Sequence, residues 1–312
     1  MPPWNSPSLQ QTLPRFVLYA SMADLISLNR SILTPTETKQ LGVRMNELTD
    51  RALARFRQAV RAVYKVDDRN LPDHEGSCIL LDIYGVKVLL TAAHIVDVNV
   101  DQDRTLCITG EKDLVELDKL QFGLSPKIKG SRVGDHFDFA FARIPPALEA
   151  RLGQGYVTEG DIMDPRLDIT GHLFTTIGYP NSKNDDFDHV NRTVNTHVFP
   201  YSSTARSNAL LRKKVGEDGV HHLFVGYDKY SRGQDGRKVT SIKPRGLSGG
   251  ALIDAGRMSN PGVFWGKIDP VPRVAGMIVE LWRDHKVLVS TRMWPIVQKA
   301  IEELNISVPP GC

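Results

Sequence analysis

The sequence predicts a mostly β protein, a barrel or a sandwich, with helices near its two ends. Short apolar segments, many of them alternating, follow one another from residue 77 to residue 230. Gly, Asp, Asn and Pro separate them, and no long helical pattern lies between them, which argues against a parallel βαβ sheet. The predicted strands are residues 77–85, 86–93, 104–110, 113–122, 138–144, 172–180, 195–202, 209–215 and 221–230.

Tight turns connect some of these strands. The segments DIYGVKV (82–88) and VGEDGVHHL (215–223) each place glycine between two apolar runs and predict hairpins. No internal repeat with a fixed period is visible.

Helical periodicity is predicted at the two ends of the chain. Residues 36–65 form an amphipathic pattern, with Thr34 and Glu37 or Thr36 and Gln40 as candidate caps. This helix either packs on the body of the protein or binds a regulatory partner. Its apolar stripe is Leu41, Met45, Leu48, Leu53, Phe56, Val60 and Val63.

The predicted division follows from these patterns. Residues 1–67 form an extended arm and the amphipathic helix, and residues 68–312 form the main domain. A second helix is predicted at about residues 293–305. Its stripe is Ile296, Val297, Ala300, Ile301 and Leu304.

Composition is that of an ordinary globular protein. The 312 residues are 41% apolar and 24% charged, with a net charge of +3. This charge is too small to indicate nucleic acid or an anionic membrane as a partner. The basic clusters 212–214 and 237–238 are interpreted as solvated loops, because no aromatic side chains are interleaved with them.

Cysteine use favours a reducing compartment. Cys78, Cys107 and Cys312 are few and widely spaced, so neither a disulfide framework nor a zinc-ligand spacing is present. The apolar patch at residues 16–20 is too short for a secretion signal. We therefore expect a cytoplasmic protein that needs no metal or other cofactor.

One serine lies where a nucleophile could. In KPRGLSGGALID, Ser248 follows Gly246 and precedes two glycines. A serine hydroxyl needs a histidine as its base, and the histidine needs a carboxylate to orient it. His94 ends the apolar strand VKVLLTAAH, and Asp138 begins the alternating run DFAFARI.

Two other aspartates are weaker candidates for that carboxylate. Asp135 is expected in a loop, and Asp97 is too close to His94 along the chain to orient it from the end of a strand. The candidate set is therefore His94, Asp138 and Ser248.

The segments LLTAAH, DFAFARI and GLSGGAL together resemble the signature segments of trypsin-like serine peptidases. Their order, His before Asp before Ser, is that of the chymotrypsin type. GSCILLD and TIGYPNSK add a likeness to bacterial HtrA-like and related intracellular members, over residues 73–304.

The resemblance implies two packed six-stranded antiparallel β-barrels and a serine endopeptidase acting through an acyl-enzyme. It implies His94, Asp138 and Ser248 as the triad, with the N–H groups of Gly246 and Ser248 as the oxyanion hole. The partner is then a protein or peptide substrate.

Two departures separate this chain from secreted members of that family. Leu247 stands where secreted zymogens carry an aspartate, so activation by an N-terminal ion pair is not expected. Ile95 stands at one position of the disulfide beside the catalytic histidine. For specificity, Ile242 at the pocket base suggests a small or apolar P1 side chain, whereas Glu280, if it faced the pocket, would suit a basic one.

Two other functions remain as alternatives. A catalytically silent member of the fold would bind peptides or proteins without cleaving them. An esterase would use the same chemistry, but the order of the residues and the lack of strand–helix alternation disfavour it.

Overall fold

The structure is a computed structural model. It describes residues 18–19, 34–69, 71–102, 105–132, 134–185, 187–188, 193–206, 209–215, 220–233 and 237–310. Most of the arm predicted for residues 1–34 and Cys312 lie outside these ranges.

The described strands and helices alternate irregularly along the chain. The strands are β1 (Leu18–Tyr19), β2 (Val60–Val66), β3 (Pro72–Ile83), β4 (Val86–Ala92), β5 (Thr105–Thr109), β6 (Leu114–Glu116), β7 (Gly123–Leu124), β8 (Phe139–Arg143), β9 (Val157–Thr158), β10 (His172–Gly178), β11 (Phe187–Asp188), β12 (Thr193–Val194), β13 (Phe199–Thr204), β14 (His222–Gly226), β15 (Tyr230–Arg232), β16 (Lys238–Thr240), β17 (Ala251–Arg257), β18 (Arg273–Trp282) and β19 (Val287–Arg292). The helices are α1 (Pro35–Phe56), α2 (Ala93–Gln102), α3 (Pro146–Leu152), α4 (Asn181–Asn184), α5 (Ala209–Lys214), α6 (Pro261–Phe264) and α7 (Met293–Glu303).

The strands form two large sheets. Among the described residues, the first sheet has eight strands in the order β6-β5-β2-β3-β4-β8-β7, with β9 beside β3. The second has nine, in the order β14-β19-β18-β17-β10-β13-β1-β15-β16. Nearly all neighbours are antiparallel; β1 with β13 and β3 with β9 are parallel. The mostly β fold and its terminal helices are confirmed, and short strands extend the six-stranded barrels expected from the resemblance.

The β3–β4 hairpin shows how the sequence determines the local fold. Its turn places Tyr84 and Gly85 at φ 48° and 84°, the left-handed pair that a two-residue hairpin requires. The hairpin predicted over residues 82–88 is therefore confirmed.

Helix α1 confirms one of the two proposed caps. The Thr34 hydroxyl accepts from the Glu37 N–H, and the Glu37 carboxylate accepts from the Thr34 N–H. The apolar face of the helix packs on β10, β13 and β17 and joins the main core. Packing on the body is thus observed, and only the polar face remains for the regulatory partner, which stays a prediction.

Two predictions from the sequence are wrong. The N-terminal helix ends at Phe56, and Val60–Val66 forms strand β2 between β3 and β5. Val60 and Val63 fit a helical stripe, but β-branched residues also suit a strand buried on both faces.

The second error concerns residues 209–215, which were expected to form a strand. Residues 209–214 form helix α5, and Leu211 and the following Val215 are buried four residues apart while Leu210 is exposed. The hairpin predicted over 215–223 therefore has no first strand, and its residues 216–219 lie outside the described part.

The predicted second helix is confirmed. The C-terminal helix spans Met293–Glu303 and buries Ile296 and Val297. Cys78 and Cys107 are buried free thiols, and burial raises the pKa of each to about 12. In the described ranges, no helix has the length and apolar character needed to span a membrane.

The Arg44 side chain links α1 to α6 and to the segment that follows α6 through hydrogen bonds. Its guanidinium is buried and donates to the main-chain oxygens of Val263 (2.7 Å) and Ile268 (2.8 Å) and to the carboxylate of Asp269 (2.8 Å). Such a buried charge is tolerated only because its donors are paired.

Replacing Arg44 tests this anchor. Arg44→Met removes the buried donor that the Val263 and Ile268 carbonyls and one oxygen of Asp269 share, so we expect the free energy of unfolding to fall by roughly 3 kcal/mol. The control is Arg51→Met, because Arg51 pairs with the same Asp269 (2.7 Å) from a half-exposed position. It should cost at most about 1 kcal/mol. Urea unfolding measures both, and equal losses would contradict the anchoring role.

Candidate active site

His94 and Asp138 meet at one end of two paired strands. In the β4–β8 ladder Ala92 lies opposite Phe139. His94 follows Ala92 by two residues and Asp138 directly precedes Phe139, so the two lie near each other at this end of the ladder. Asp138 Oδ2 lies 2.5 Å from His94 Nδ1, and Oδ1 accepts the His94 main-chain N–H (2.9 Å). Because a carboxylate only accepts, Nδ1 carries the proton and Nε2 keeps its lone pair.

Asp138 is held in an unusual backbone conformation. Its φ of 40° lies in the left-handed region, which costs energy for a residue with a side chain. Asp135 stabilises this conformation, because its carboxylate accepts the Asp138 N–H (3.1 Å). The other oxygen of Asp135 accepts from Ser125 Oγ (2.7 Å) and Arg132 Nη1 (2.8 Å).

The two other aspartates considered from the sequence do not contact the imidazole. Asp97 pairs with Arg132 (2.7 Å), and Asp135 pairs with the same guanidinium. Lys127 also lies 3.4 Å from Asp97, so two cations balance these two carboxylates, and Asp138 is the one hydrogen-bonded to the ring of His94.

The pKa of His94 is raised from its ordinary value. Burial alone would lower this pKa, but the hydrogen bond and the charge of Asp138 outweigh it, with Glu75 and Asp97 adding smaller contributions. The imidazole side chain is still 40% exposed, so the ring is accessible to solvent. His94 is thus a stronger base than a free histidine.

The loop that carries Ser248 belongs to the second sheet but is bonded to the first. Ser77, on β3, donates its N–H to Ser248 O (2.9 Å) and its hydroxyl to Gly246 O (2.8 Å). The Ser77 hydroxyl oxygen also accepts from the Tyr179 N–H (2.9 Å). The loop is thereby fixed against the sheet that holds His94.

Close contacts place this loop beside the His94 strand. A Cβ on Gly249 would lie 2.7 Å from Thr91 Oγ1, three residues before His94. A Cβ on Gly76 would lie 2.3 Å from Ile95 Cδ1 and 3.1 Å from Ser248 O. Gly76 therefore lies between the residue after His94 and the backbone of Ser248.

The Ser248 hydroxyl donates to the main-chain oxygen of Val279 (2.8 Å) rather than to His94. Catalytic hydrogen bonds are often incomplete before a substrate binds, and a rotation about the Cα–Cβ bond redirects the hydroxyl. The structure thus brings His94 and Asp138 into contact, and it places the Ser248 backbone close to residues that flank His94.

Two main-chain N–H groups are available beside Ser248. Within the described ranges, neither the Gly246 N–H nor the Ser248 N–H donates to a protein acceptor. Gly246 has a φ of 91°, a conformation that favours glycine. Two such donors on one turn can stabilise an oxyanion.

The two residues predicted for specificity lie in different surroundings. Ile242 packs against an apolar cluster, and its carbonyl oxygen accepts from the Tyr227 hydroxyl (2.6 Å). Glu280 is half-exposed, and its carboxylate lies 3.6 Å from His136 Nδ1. The buried residues of the cluster are Phe199, Tyr201, Tyr227, Leu247, Ile278 and Leu288.

The other histidines examined have structural partners. His172 Nδ1 bonds the buried Asp254 (2.9 Å), and His222 Nε2 donates to the His136 main-chain oxygen (3.1 Å). Among the described residues, no three His, Cys, Asp or Glu side chains come together as a metal site would require.

Sequence reasoning did not assign roles to Ser77, His74 or Asn181. Ser77 and Asn181 lie in GSCILLD and TIGYPNSK, segments that contributed only to the resemblance. Their contacts reach residues about 100 positions away or more, so no local pattern reports them.

Comparisons with known proteins give structural likenesses alone. No family model and no curated protein matches the chain. The HtrA-type protease AlgW, solved with a tripeptide, is similar at 16% identity and a TM-score of 0.46 over 82% of this chain and 64% of that one. The active form of the Rv3671c protease from M. tuberculosis is similar at 16% identity and a TM-score of 0.44, covering 85% and 88% of the two chains. Both are likenesses to solved structures at low identity, and the chain spans less than two thirds of the length of AlgW.

Gly249 tests how tightly the Ser248 loop is fitted. Its φ is 80°, and a Cβ there would lie 1.9 Å from Ser77 O. Gly249→Ala should lower the free energy of unfolding by roughly 3 kcal/mol or prevent folding. Gly85→Ala is the control, because Gly85 has a φ of 84° with nothing within 4 Å of its Cβ position. It should cost only about 1 kcal/mol in urea unfolding. Similar costs would mean that backbone strain, not the close fit, is decisive.

Proposed function

We propose that the chain is a serine endopeptidase. The observation that carries the proposal is the His94 ring, bonded to Asp138 at 2.5 Å and 40% exposed, with Ser248 and two unengaged N–H groups on a loop that packs against the strands beside it. A nucleophile, a base, an orienting carboxylate and an oxyanion site are the parts that acyl transfer requires.

The proposed reaction begins at Ser248. Its hydroxyl turns from Val279 O toward His94 Nε2, which takes the proton as Oγ attacks the peptide carbonyl carbon. The tetrahedral intermediate then collapses, the C–N bond breaks, and the His94 proton passes to the leaving amine. Water repeats these steps on the acyl-enzyme and releases the carboxylate product, which returns Ser248 to its starting state.

Asp138 acts on His94 in two ways in this mechanism. Its carboxylate fixes the tautomer that leaves Nε2 free, and its charge stabilises the imidazolium formed in the transition state. Its bond to the His94 main-chain N–H (2.9 Å) also fixes the backbone from which the ring projects. Ring and backbone are therefore oriented by one side chain.

The proposed oxyanion hole consists of the Gly246 and Ser248 N–H groups. They are two residues apart on a turn whose Gly246 O and Ser248 O are both bonded to Ser77. Donors fixed before the reaction stabilise the developing negative charge without reorganisation.

The proposed primary pocket is apolar. Ile242 is partly buried beside Val239 and Leu281 on the aromatic cluster that contains Tyr227. Glu280 points to His136 instead, on the side of the cleft where the Asp138 loop lies. We therefore propose cleavage after apolar residues.

An active-site probe tests the proposed catalysis. A fluorophosphonate should label the wild type, and Ser248→Ala should abolish labelling. Asp138→Asn should slow labelling by roughly a thousandfold or more, because the wrong tautomer is then favoured. Ser259→Ala, outside the cleft, is the control and should label normally.

The same samples separate the rival functions. Hydrolysis of fluorogenic peptides, lost in Ser248→Ala, distinguishes a peptidase from an esterase. A wild type that is neither labelled nor hydrolytic would contradict the proposal and favour a silent peptide-binding fold, and labelling of Ser248→Ala would contradict the assigned nucleophile.

A cleavage profile tests the pocket. On a peptide library the wild type should prefer apolar residues at P1. In Ile242→Asp, the rate of cleavage after Lys and Arg should rise by about tenfold or more, since a carboxylate at the base of the pocket pairs with a cation. Glu280→Gln should keep the apolar preference. If the wild type instead prefers Lys or Arg at P1, and Glu280→Gln loses that preference, Glu280 belongs to the pocket.

A further inference from the structure

We propose that Asn181, held in place by His74, is a positioning residue for the oxyanion hole. The inference rests on the proposed function. It concerns the side chains that orient the Gly246 N–H, one of the two proposed oxyanion-hole donors. Neither residue belongs to the segments GLSGGAL, LLTAAH or DFAFARI.

The first step concerns the peptide that contains the Gly246 N–H. The Asn181 main-chain N–H donates to the oxygen of Arg245 (2.8 Å). In a trans peptide the C=O and N–H groups point in opposite directions. Holding Arg245 O on Asn181 therefore turns the Gly246 N–H away from Asn181.

The second step concerns packing. A Cβ on Gly246 would lie 2.1 Å from Asn181 Oδ1 and 2.8 Å from Asn181 N. Asn181 is therefore in close contact with the α-carbon region of Gly246. A displacement of Asn181 must displace this peptide, because close-packed atoms transmit small shifts.

The third step concerns what holds Asn181. Its Oδ1 lies 3.1 Å from His74 Nδ1, and its Nδ2 donates to the His74 main-chain oxygen (3.0 Å). Helix α4 has only four residues, so its own hydrogen bonds cannot fix its first residue. The fixed reference is strand β3, in which His74 lies.

The chemistry of His74 suits this task. The ring is buried, and burial lowers its pKa to about 4 against the opposing effects of Asn181, Asp73 and the Gly76 backbone. The ring is therefore neutral near pH 7 and carries one proton. Since Oδ1 accepts only, that proton is on Nδ1, and within the described ranges Nε2 has no hydrogen-bond partner.

The packing around His74 fixes the ring plane. Tyr64 contacts the ring edge-on, with 5.1 Å between the ring centroids. Leaving Nε2 buried without a partner costs stability. Because no acceptor in the described part of the chain lies beside Nε2, the ring proton stays on Nδ1 and is donated to Asn181 Oδ1. The imidazole thus acts as a rigid donor to Asn181.

Side-chain substitutions test the proposal while keeping the main-chain N–H of residue 181. Asn181→Ala removes both bonds to His74, and His74→Phe keeps ring volume without a donor. We expect kcat on a fluorogenic peptide with an apolar P1 to fall ten- to a hundredfold in each, with KM within threefold. His74→Asn places an amide N–H near the position of Nδ1 and should retain at least a third of kcat.

A transition-state analogue provides a second measurement. A peptide boronic acid places an oxygen in the oxyanion hole, so its affinity should fall by the same factor as kcat in Asn181→Ala and His74→Phe. Affinity for the peptide product should stay within threefold. An unchanged kcat in Asn181→Ala, or failure of His74→Asn to exceed His74→Phe, would overturn the proposal.

Asn184→Ala is the matched control on the same turn. Asn184 is also buried, donating to Pro180 O (2.8 Å) and His197 O (3.1 Å) and accepting from the His197 N–H (2.7 Å). None of these bonds involves Gly246 or His74. Its kcat, measured on folded protein, should stay within threefold of wild type, and a loss equal to that of Asn181→Ala would overturn the proposal as general loosening.

An NMR measurement separates this proposal from the proposed function. Labelling arginine carbonyls with ¹³C and glycine nitrogens with ¹⁵N selects the Arg–Gly pairs, which are Arg245–Gly246 and Arg232–Gly233. Asn181→Ala and His74→Phe should shift the Gly246 amide signal, whereas Asn184→Ala should leave it in place. If the wild type shows no hydrolysis, the proposed function fails, and this shift still decides whether Asn181 positions Gly246; an unmoved signal overturns the inference.

Discussion

The hydrogen bonds of Ser77 are the constraint on which the arrangement of the cleft depends. His94 and Asp138 belong to the first sheet and Ser248 to the second, so their alignment requires a fixed contact between sheets. Ser77 provides it with its N–H to Ser248 O, its hydroxyl to Gly246 O, and its own main-chain oxygen accepting from Thr91 Oγ1 (2.8 Å). Ser77 is fully buried, and each of these polar groups is costly to leave unpaired. Hydrogen bonding and catalytic alignment therefore favour the same geometry.

A second set of interactions determines the electrostatics of the base. Three aspartates lie near His94, and three uncompensated carboxylates would repel one another. Arg132 binds Asp97 and Asp135, so Asp138 is left to pair with the imidazole. Asp135 also accepts the Asp138 N–H and so stabilises a φ of 40° that would otherwise be unfavourable. The aspartate interpreted as a loop residue from the sequence thus supports the one that orients the base.

The sequence predicts those parts of the molecule whose contacts are local or follow from strand pairing. The sequence places His94 at the end of a strand, whereas the strand ends at Ala92 and His94 lies in the first turn of α2; β8 begins directly after Asp138, so antiparallel pairing of β4 and β8 still brings the two residues together. The β3–β4 turn and the cap of α1 are similarly local. Strand Val60–Val66 is not predicted because valines three residues apart fit a helical stripe and also suit a strand buried on both faces, and its pairing with β3 and β5 decides between them. Ser77 and Asn181 could not be predicted, because each acts through main-chain atoms of a segment far along the chain.

The burial of Leu247 stabilises the loop that carries Ser248, the proposed nucleophile, without a charge at that position. Leu247 lies in the apolar cluster of Tyr201 and Ile278, and burying a leucine contributes roughly 2 kcal/mol. Its N–H donates to Pro244 O (2.9 Å), and its carbonyl accepts from the Gly250 N–H (2.9 Å). The turn is therefore closed by hydrophobic packing and local hydrogen bonds, which need no new N-terminus. In the proposed mechanism, the Ser248 hydroxyl rotates about its Cα–Cβ bond from Val279 O toward His94, while these hydrogen bonds keep the backbone of the loop in place.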